Sequence, residues 1–84
     1  MKVLKVEEVE NKLKDYISDL EYLRKNFKKI LKKYSGRYVA IKENRVIASS
    51  KSEKKLFKIL ERRKIYYADC VIALIGKYGV IVLT

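Results

Sequence analysis

The chain has 84 residues, with 21 Lys and Arg against 10 Asp and Glu, no His, one Cys and a formal charge of +11. That length gives one small domain close to the lower limit for a self-sufficient core. A single cysteine forbids an internal disulfide, and without His the chain lacks the usual general base of neutral-pH chemistry.

Residues 1–5 read either as a frayed leader or as a short strand, without the apolar stretch of a signal peptide. From there a seven-residue grid begins. Val6, Leu13, Leu20, Phe27 and Tyr34 form one row, and Val9, Tyr16, Leu23 and Ile30 the other. This three-four spacing predicts one long helix over 6–34 with an apolar seam down one side. Glu7, Glu8 and Glu10 near its start, and Lys28, Lys29, Lys32 and Lys33 near its end, complement the helix dipole. Ser35-Gly36 supplies a stop, with glycine suited to a left-handed cap.

Read as a coiled coil, the two rows take the a and d positions. Asp19 and Arg24 then fall at g and e, the spacing of an ion pair in a parallel dimer. Apolar Ile17 and Leu31 at e positions widen the stripe toward what a globular core uses. Two destinations follow for the seam: a second helix, or the chain's own sheet. The first is the expectation, with Val6, Val9, Leu13, Tyr16, Leu20, Leu23, Phe27 and Ile30 as self-association residues and a dimer favoured.

Past Gly36 the period changes from seven to two. Residues 38–42 read as a strand, Glu43-Asn44 as a tight turn and 45–49 as the antiparallel mate, since Asn tolerates the positive φ such hairpins need. Ser50 with Glu53 three residues on reads as a capping box opening a helix through about residue 64. Leu56, Phe57, Ile59 and Leu60 supply its buried face. The nearly unbroken apolar run 68–75 fits a central strand covered on both sides. Its apolar core, 70–75, is far too short to span a bilayer. Gly76-Lys77-Tyr78-Gly79 makes a turn before a last strand at 80–83. The fold class is therefore α+β, one domain over 1–84, with a long N-terminal helix followed by a β-β-α-β-β unit at 37–84.

The run Tyr34-Ser35-Gly36-Arg37-Tyr38-Val39-Ala40-Ile41, then Arg45-Val46-Ile47-Ala48-Ser49 and a Lys/Glu-rich helix, resembles a small prokaryotic domain family of unknown function. That family's motif reads Tyr-x-Gly-Lys-Trp-Val-Ala-Ile, a hairpin, then Val-Val-Ala-Ser-Gly. The resemblance covers residues 34 to about 64, a little over a third of the chain. Tyr38 stands for the usual Trp, Asn44 for the turn Gly and Ser50 for the last Gly, and a Val-Pro segment near the family's C-terminus is missing. The resemblance implies the same order of strands and helix, and no activity.

Charge is distributed unevenly. Up to Glu21 there are 4 basic residues and 6 acids, a net of −2; beyond it there are 17 and 4, a net of +13. Such an excess suits a polyanion, an acidic protein partner or an anionic membrane surface, or else a Lys-rich solvated face. Lys25, Lys28, Lys29 and Lys32 lie opposite the seam, with Lys33 and Arg37 just beyond. Lys54, Lys58 and Arg62 repeat one turn apart on the second helix, beside Lys55 and Arg63. These eleven are the candidate nucleic-acid contacts, through phosphates rather than bases. Tyr38, Tyr66, Tyr67 and Tyr78 near strand ends offer rings for stacking or, equally, for covering sheet edges. No catalytic residue, metal ligand or cofactor is expected: the acids beyond Glu21 are scattered, and Cys70 has no imidazole to activate it. The expectation is a cytoplasmic, self-associating, non-enzymatic protein whose basic surface meets DNA or RNA, with no membrane partner. The alternative is an antitoxin-like or adaptor module whose long helix pairs with a different protein chain.

Overall fold

The computed structural model describes residues 5–83; the leader-or-strand alternative for the first residues falls largely outside them. Helix α1 spans Val6–Lys25 and α2 Phe27–Tyr34, followed by strands β1 (Tyr38–Lys42) and β2 (Arg45–Ser50), helix α3 (Glu53–Arg62), a 3-10 turn at Tyr67–Asp69, and strands β3 (Val71–Ile75) and β4 (Val80–Val82). The strands form one antiparallel sheet in the order β2-β1-β3-β4. The α+β class and the element order are as the sequence predicts.

The two middle strands organise everything else. Alternation sends Val39, Ile41, Val71, Ala73 and Ile75 to one face, where Leu23 of α1 and Ile30 of α2 meet them. Ala40, Ile72 and the neighbouring Cys70 go to the other face, against Leu56 and Leu60 of α3. The sheet is thus covered on both sides, which is why 70–75 reads as a continuous apolar run. Burial also pushes the Cys70 thiol upward from its ordinary pKa, leaving it a small hydrophobe.

The grid continues through 6–34, but the helix does not run straight. Asn26 interrupts it at φ −107°, ψ 16°, and its Nδ2 donates to the Tyr22 carbonyl at 3.0 Å, the same oxygen its backbone N–H reaches. A side chain that enters the ladder in this way bends a helix. Beyond Asn26, Ile30 of α2 reaches the sheet. Gly36 has the positive φ expected of it, +76°, but in a turn and not as the helix cap: Ser35 ends α2 in an extended conformation, the Arg37 N–H closes the turn on the Tyr34 carbonyl at 2.9 Å, and the Gly36 N–H goes to Ile75.

The β1–β2 turn has φ 54° at Glu43 and 57° at Asn44, the signature of a primed two-residue hairpin. Its backbone is held from α1: the Asn44 N–H donates to Asp19 Oδ1 at 2.8 Å, and the Ser18 hydroxyl to Asn44 Oδ1 at 2.8 Å. Midway along the hairpin the register shifts, Ala40 pairing Ala48 while Ile41 pairs Val46, so Ile47 is an extra residue on β2. The Arg63 guanidinium donates to the Ile47 carbonyl.

Helix α3 starts two residues later than the capping box places it. Ser52, not Ser50, is the N-cap, its hydroxyl accepting from the Lys55 N–H at 3.4 Å, while Ser50 Oγ accepts from the Ser52 N–H. It ends in paired reverse bonds, Ile65 N–H to Leu60 O at 2.9 Å and Lys64 N–H to Glu61 O at 3.0 Å. Lys64 takes the left-handed position there at φ 58°, where glycine is the usual occupant.

Two stability predictions follow from these contacts. Lys64→Gly removes the Cβ crowding of a left-handed residue and should raise unfolding stability by about 0.5–1 kcal/mol in urea titrations. Asp19 is buried, and desolvation raises its pKa above the ordinary value despite the bond from Asn44. Its contribution is therefore full below the unfolded pKa of 3.8 and lost as pH rises through the folded one. Asp19→Asn keeps the acceptor without the charge, so wild type should lose stability relative to this variant as pH climbs from 3 to 7. A flat difference between the two denaturation series would refute that assignment.

Candidate functional site

The basic rows do not form a single surface. Helix α2 lies on one face of the sheet and α3 on the other, so Lys25, Lys28 and Lys29 are separated from Lys58, Arg62 and Arg63 by the whole β-layer. Arg63 is moreover committed to the bulge on β2. Register, however, joins the remaining members of both rows at one end of the sheet. Tyr38 pairs both Ser50 and Leu74, and Gly36 and Arg37 exchange backbone bonds with Ile75 at 2.7 and 2.9 Å. That end therefore gathers Lys32 and Lys33 in the last turn of α2, Arg37, Lys51, Lys54 and Lys55 in the first turn of α3, and Lys77 on the β3–β4 turn. Sequence reading misses Lys51 and Lys77, which belong to no helical row; only strand pairing brings them beside Arg37.

Within the segments building that end, Glu53 is the one acid, and it is engaged: the Tyr67 hydroxyl donates to its Oε1 at 2.9 Å. Burial first, then this carboxylate, pushes the Tyr67 phenol up to about 12. Tyr78 stands almost fully in solvent, at 90 % exposure, with the Lys77 ammonium 5.5 Å above its ring. Dipole matching accounts for Lys32 and Lys33 at the C-terminus of α2. It cannot account for Lys51, Lys54 and Lys55, which crowd the positive end of α3, where each cation costs about 0.3–1 kcal/mol.

Acids collect at the opposite end. Asp15, Asp19, Glu43 and Asp69 border a cleft of about 280 Å³ together with Lys12 and Lys42, and Lys12 Nζ reaches Asp69 Oδ1 at 3.0 Å. Among the described residues, no group of three or more His, Cys, Asp or Glu is arranged to hold a metal. A second depression, about 570 Å³, lies between α3 and the segment after it, lined by Phe57, Leu60, Ile65, Tyr66 and Tyr67.

The seam divides between two fates. Leu23 and Ile30 are 5 % and 3 % exposed, and Tyr16 and Leu20 pack beside them on the chain's own sheet, with Phe27 half-buried. Tyr16, Leu20, Leu23 and Ile30 of the expected self-association set thus pack in the internal core. Asp19 and Arg24, which the coiled-coil reading pairs between copies, are engaged within the chain, Asp19 by the Asn44 N–H and Arg24 by Glu21 at 2.9 Å. Val6, Val9 and Leu13 remain outside, joined by Ile17.

Residues 29–77, more than half of the chain, match a family described as Family of unknown function (DUF5678). The chain belongs to this family. The DUF5678 match takes in most of α2, the β1–β2 hairpin, α3 and β3, and every basic residue named at the basic end falls inside it, with Tyr78 just beyond. Helix α1 precedes it. No curated protein and no solved structure matches the chain. Among the described residues, no helix is long and apolar enough to cross a membrane.

Replacing Glu53 by Gln should leave the ring of Tyr67 in place while removing the carboxylate that opposes its ionisation. The Tyr67 resonance followed by carbon NMR should then titrate below its wild-type value yet above 10, the ordinary value, since burial remains.

Proposed function

We propose that this chain is a non-enzymatic nucleic-acid-binding protein that takes phosphates at the basic end of its sheet. The carrying observation is the placement of Lys51, Lys54 and Lys55 at the positive end of α3, beside Arg37 and Lys77. Isolated in water these cations repel one another and the helix dipole; a polyanion converts each repulsion into attraction. Backbone N–H groups at the start of α3 add donors for phosphate oxygens. Contacts of this kind read charge and spacing rather than base identity. The exposed ring of Tyr78 supports single strands or frayed ends over intact duplex, because an unpaired base offers a face to stack on.

Fluorescence anisotropy with labelled single-stranded and duplex oligonucleotides tests this reading. Affinity should fall linearly in log–log form with salt, with single strands bound more tightly. The double variant Lys51→Glu/Lys77→Glu should weaken binding by about ten-fold or more at fixed salt. Lys58→Glu/Arg62→Glu makes the same change in net charge farther along α3 and should weaken it much less. Equal losses would mean that net charge alone acts. No binding at low salt would remove the nucleic-acid reading and leave the alternative, a module for a protein partner.

A further inference from the structure

Helix α1 is too long for the sheet beneath it. Twenty residues rise about 30 Å, whereas a five-residue strand covers about 17 Å. Asp19 already stands at the end of the sheet, on the β1–β2 turn, and Lys12 reaches Asp69 just before β3 at that same end. The turns before Lys12 therefore project past the β-layer. On this overhang and the turn after it, Val6, Leu13 and Ile17 are 74 %, 56 % and 58 % exposed, and Val9 is open beside them. The four fall within about 80° of the helix circumference at 3.6 residues per turn, so they make one stripe.

We infer that two copies of this chain pair through this stripe, antiparallel, about a two-fold axis near residue 11. The stripe's own spacing sets the register. An axis at its midpoint places Val6 against the partner's Ile17 and Val9 against the partner's Leu13. Charge on one flank and the room the sheets need favour this direction; a parallel pair would set Lys5 against Glu10 but bring both sheets to the same end. Glu7, Glu10 and Lys14 flank the stripe on one side. In the antiparallel register each Lys14 falls between Glu7 and Glu10 of the other copy, giving two symmetric sets of opposite charges. The overhangs overlap while the two sheets lie at opposite ends, so neither body obstructs the contact. The same patch serves both copies, and the assembly closes as a dimer instead of growing. Four apolar side chains per copy form a contact well below the roughly 1,600 Å² of a standard interface, which puts the dissociation constant in the micromolar range. The pairing does not depend on whether the opposite end of the molecule binds nucleic acid.

Sedimentation equilibrium across micromolar concentrations should give a reversible monomer–dimer equilibrium; a monomer throughout overturns the inference. Leu13→Lys should weaken dimerisation about a hundred-fold, since both copies lose the contact, with the thermal midpoint of the monomer retained. If that variant instead unfolds, the stripe is covered within its own chain and the inference fails. Direction is read by cross-linking. A mixture of the Val6→Cys and Ile17→Cys chains should form a mixed disulfide under mild oxidation, with native Cys70 buried and silent. Predominant Val6→Cys homodimers would mean parallel helices and overturn the two-fold arrangement. Persistence of oligomers in Leu13→Lys would place the interface elsewhere and overturn it as well.

Discussion

The structure depends on the burial of β1 and β3 from both sides. Val39, Ala40, Ile41, Val71, Ile72 and Ala73 have no exposed surface, and they supply both cores at once because successive side chains point to opposite faces. A chain this short cannot cover two faces with long connections. Helix α3 covers one within the crossover from β2 to β3, and the N-terminal helices cover the other before the sheet begins. The break at Asn26 falls within this cover: one apolar grid reaches the sheet with Leu23 of α1 and again with Ile30 of α2.

The sequence was most legible where one local rule decides the outcome. Positive φ at Asn44 and Gly36, the period of two in the hairpin and the apolar run before Gly76 each name their element. It was less legible where two local choices compete. Ser50 and Ser52 both precede Glu53, and the extra residue in β2 settles which hydroxyl meets the helix, because pairing continues through Ser50 and leaves Ser52 as the first free N-cap. The fate of the seam was not legible at all. Heptad spacing records that a stripe is apolar, and a sheet satisfies such a stripe as well as another helix does. Here the first turns and the later ones differ only in whether β-layer lies beneath them.

The placement of charge follows the same division. Helical rows of lysine are visible as i, i+4 repeats, but rows on α2 and α3 end on opposite sides of the sheet. The concentration of charge at one end arises from the pairing of Tyr38 with Ser50 and Leu74, information spread over nearly forty residues. Acids gather at the other end, around the β1–β2 turn and the cleft beneath α1. Charge is therefore unevenly shared between the two ends of the sheet, and such an asymmetry orients an approaching charged body before it touches.

The extra residue at Ile47 has one further effect. Strand β2 is an outer strand, and an outer strand with a regular ladder invites the edge of another molecule to continue the sheet. A bulge in its middle breaks the spacing of the outward-facing donors and acceptors, and Arg63 occupies the Ile47 carbonyl with a cation. The other border, β4, is only three residues long. Neither border presents a long regular template, so the fold carries its own protection against fibrous growth. In β2 that protection comes from one inserted residue and one arginine.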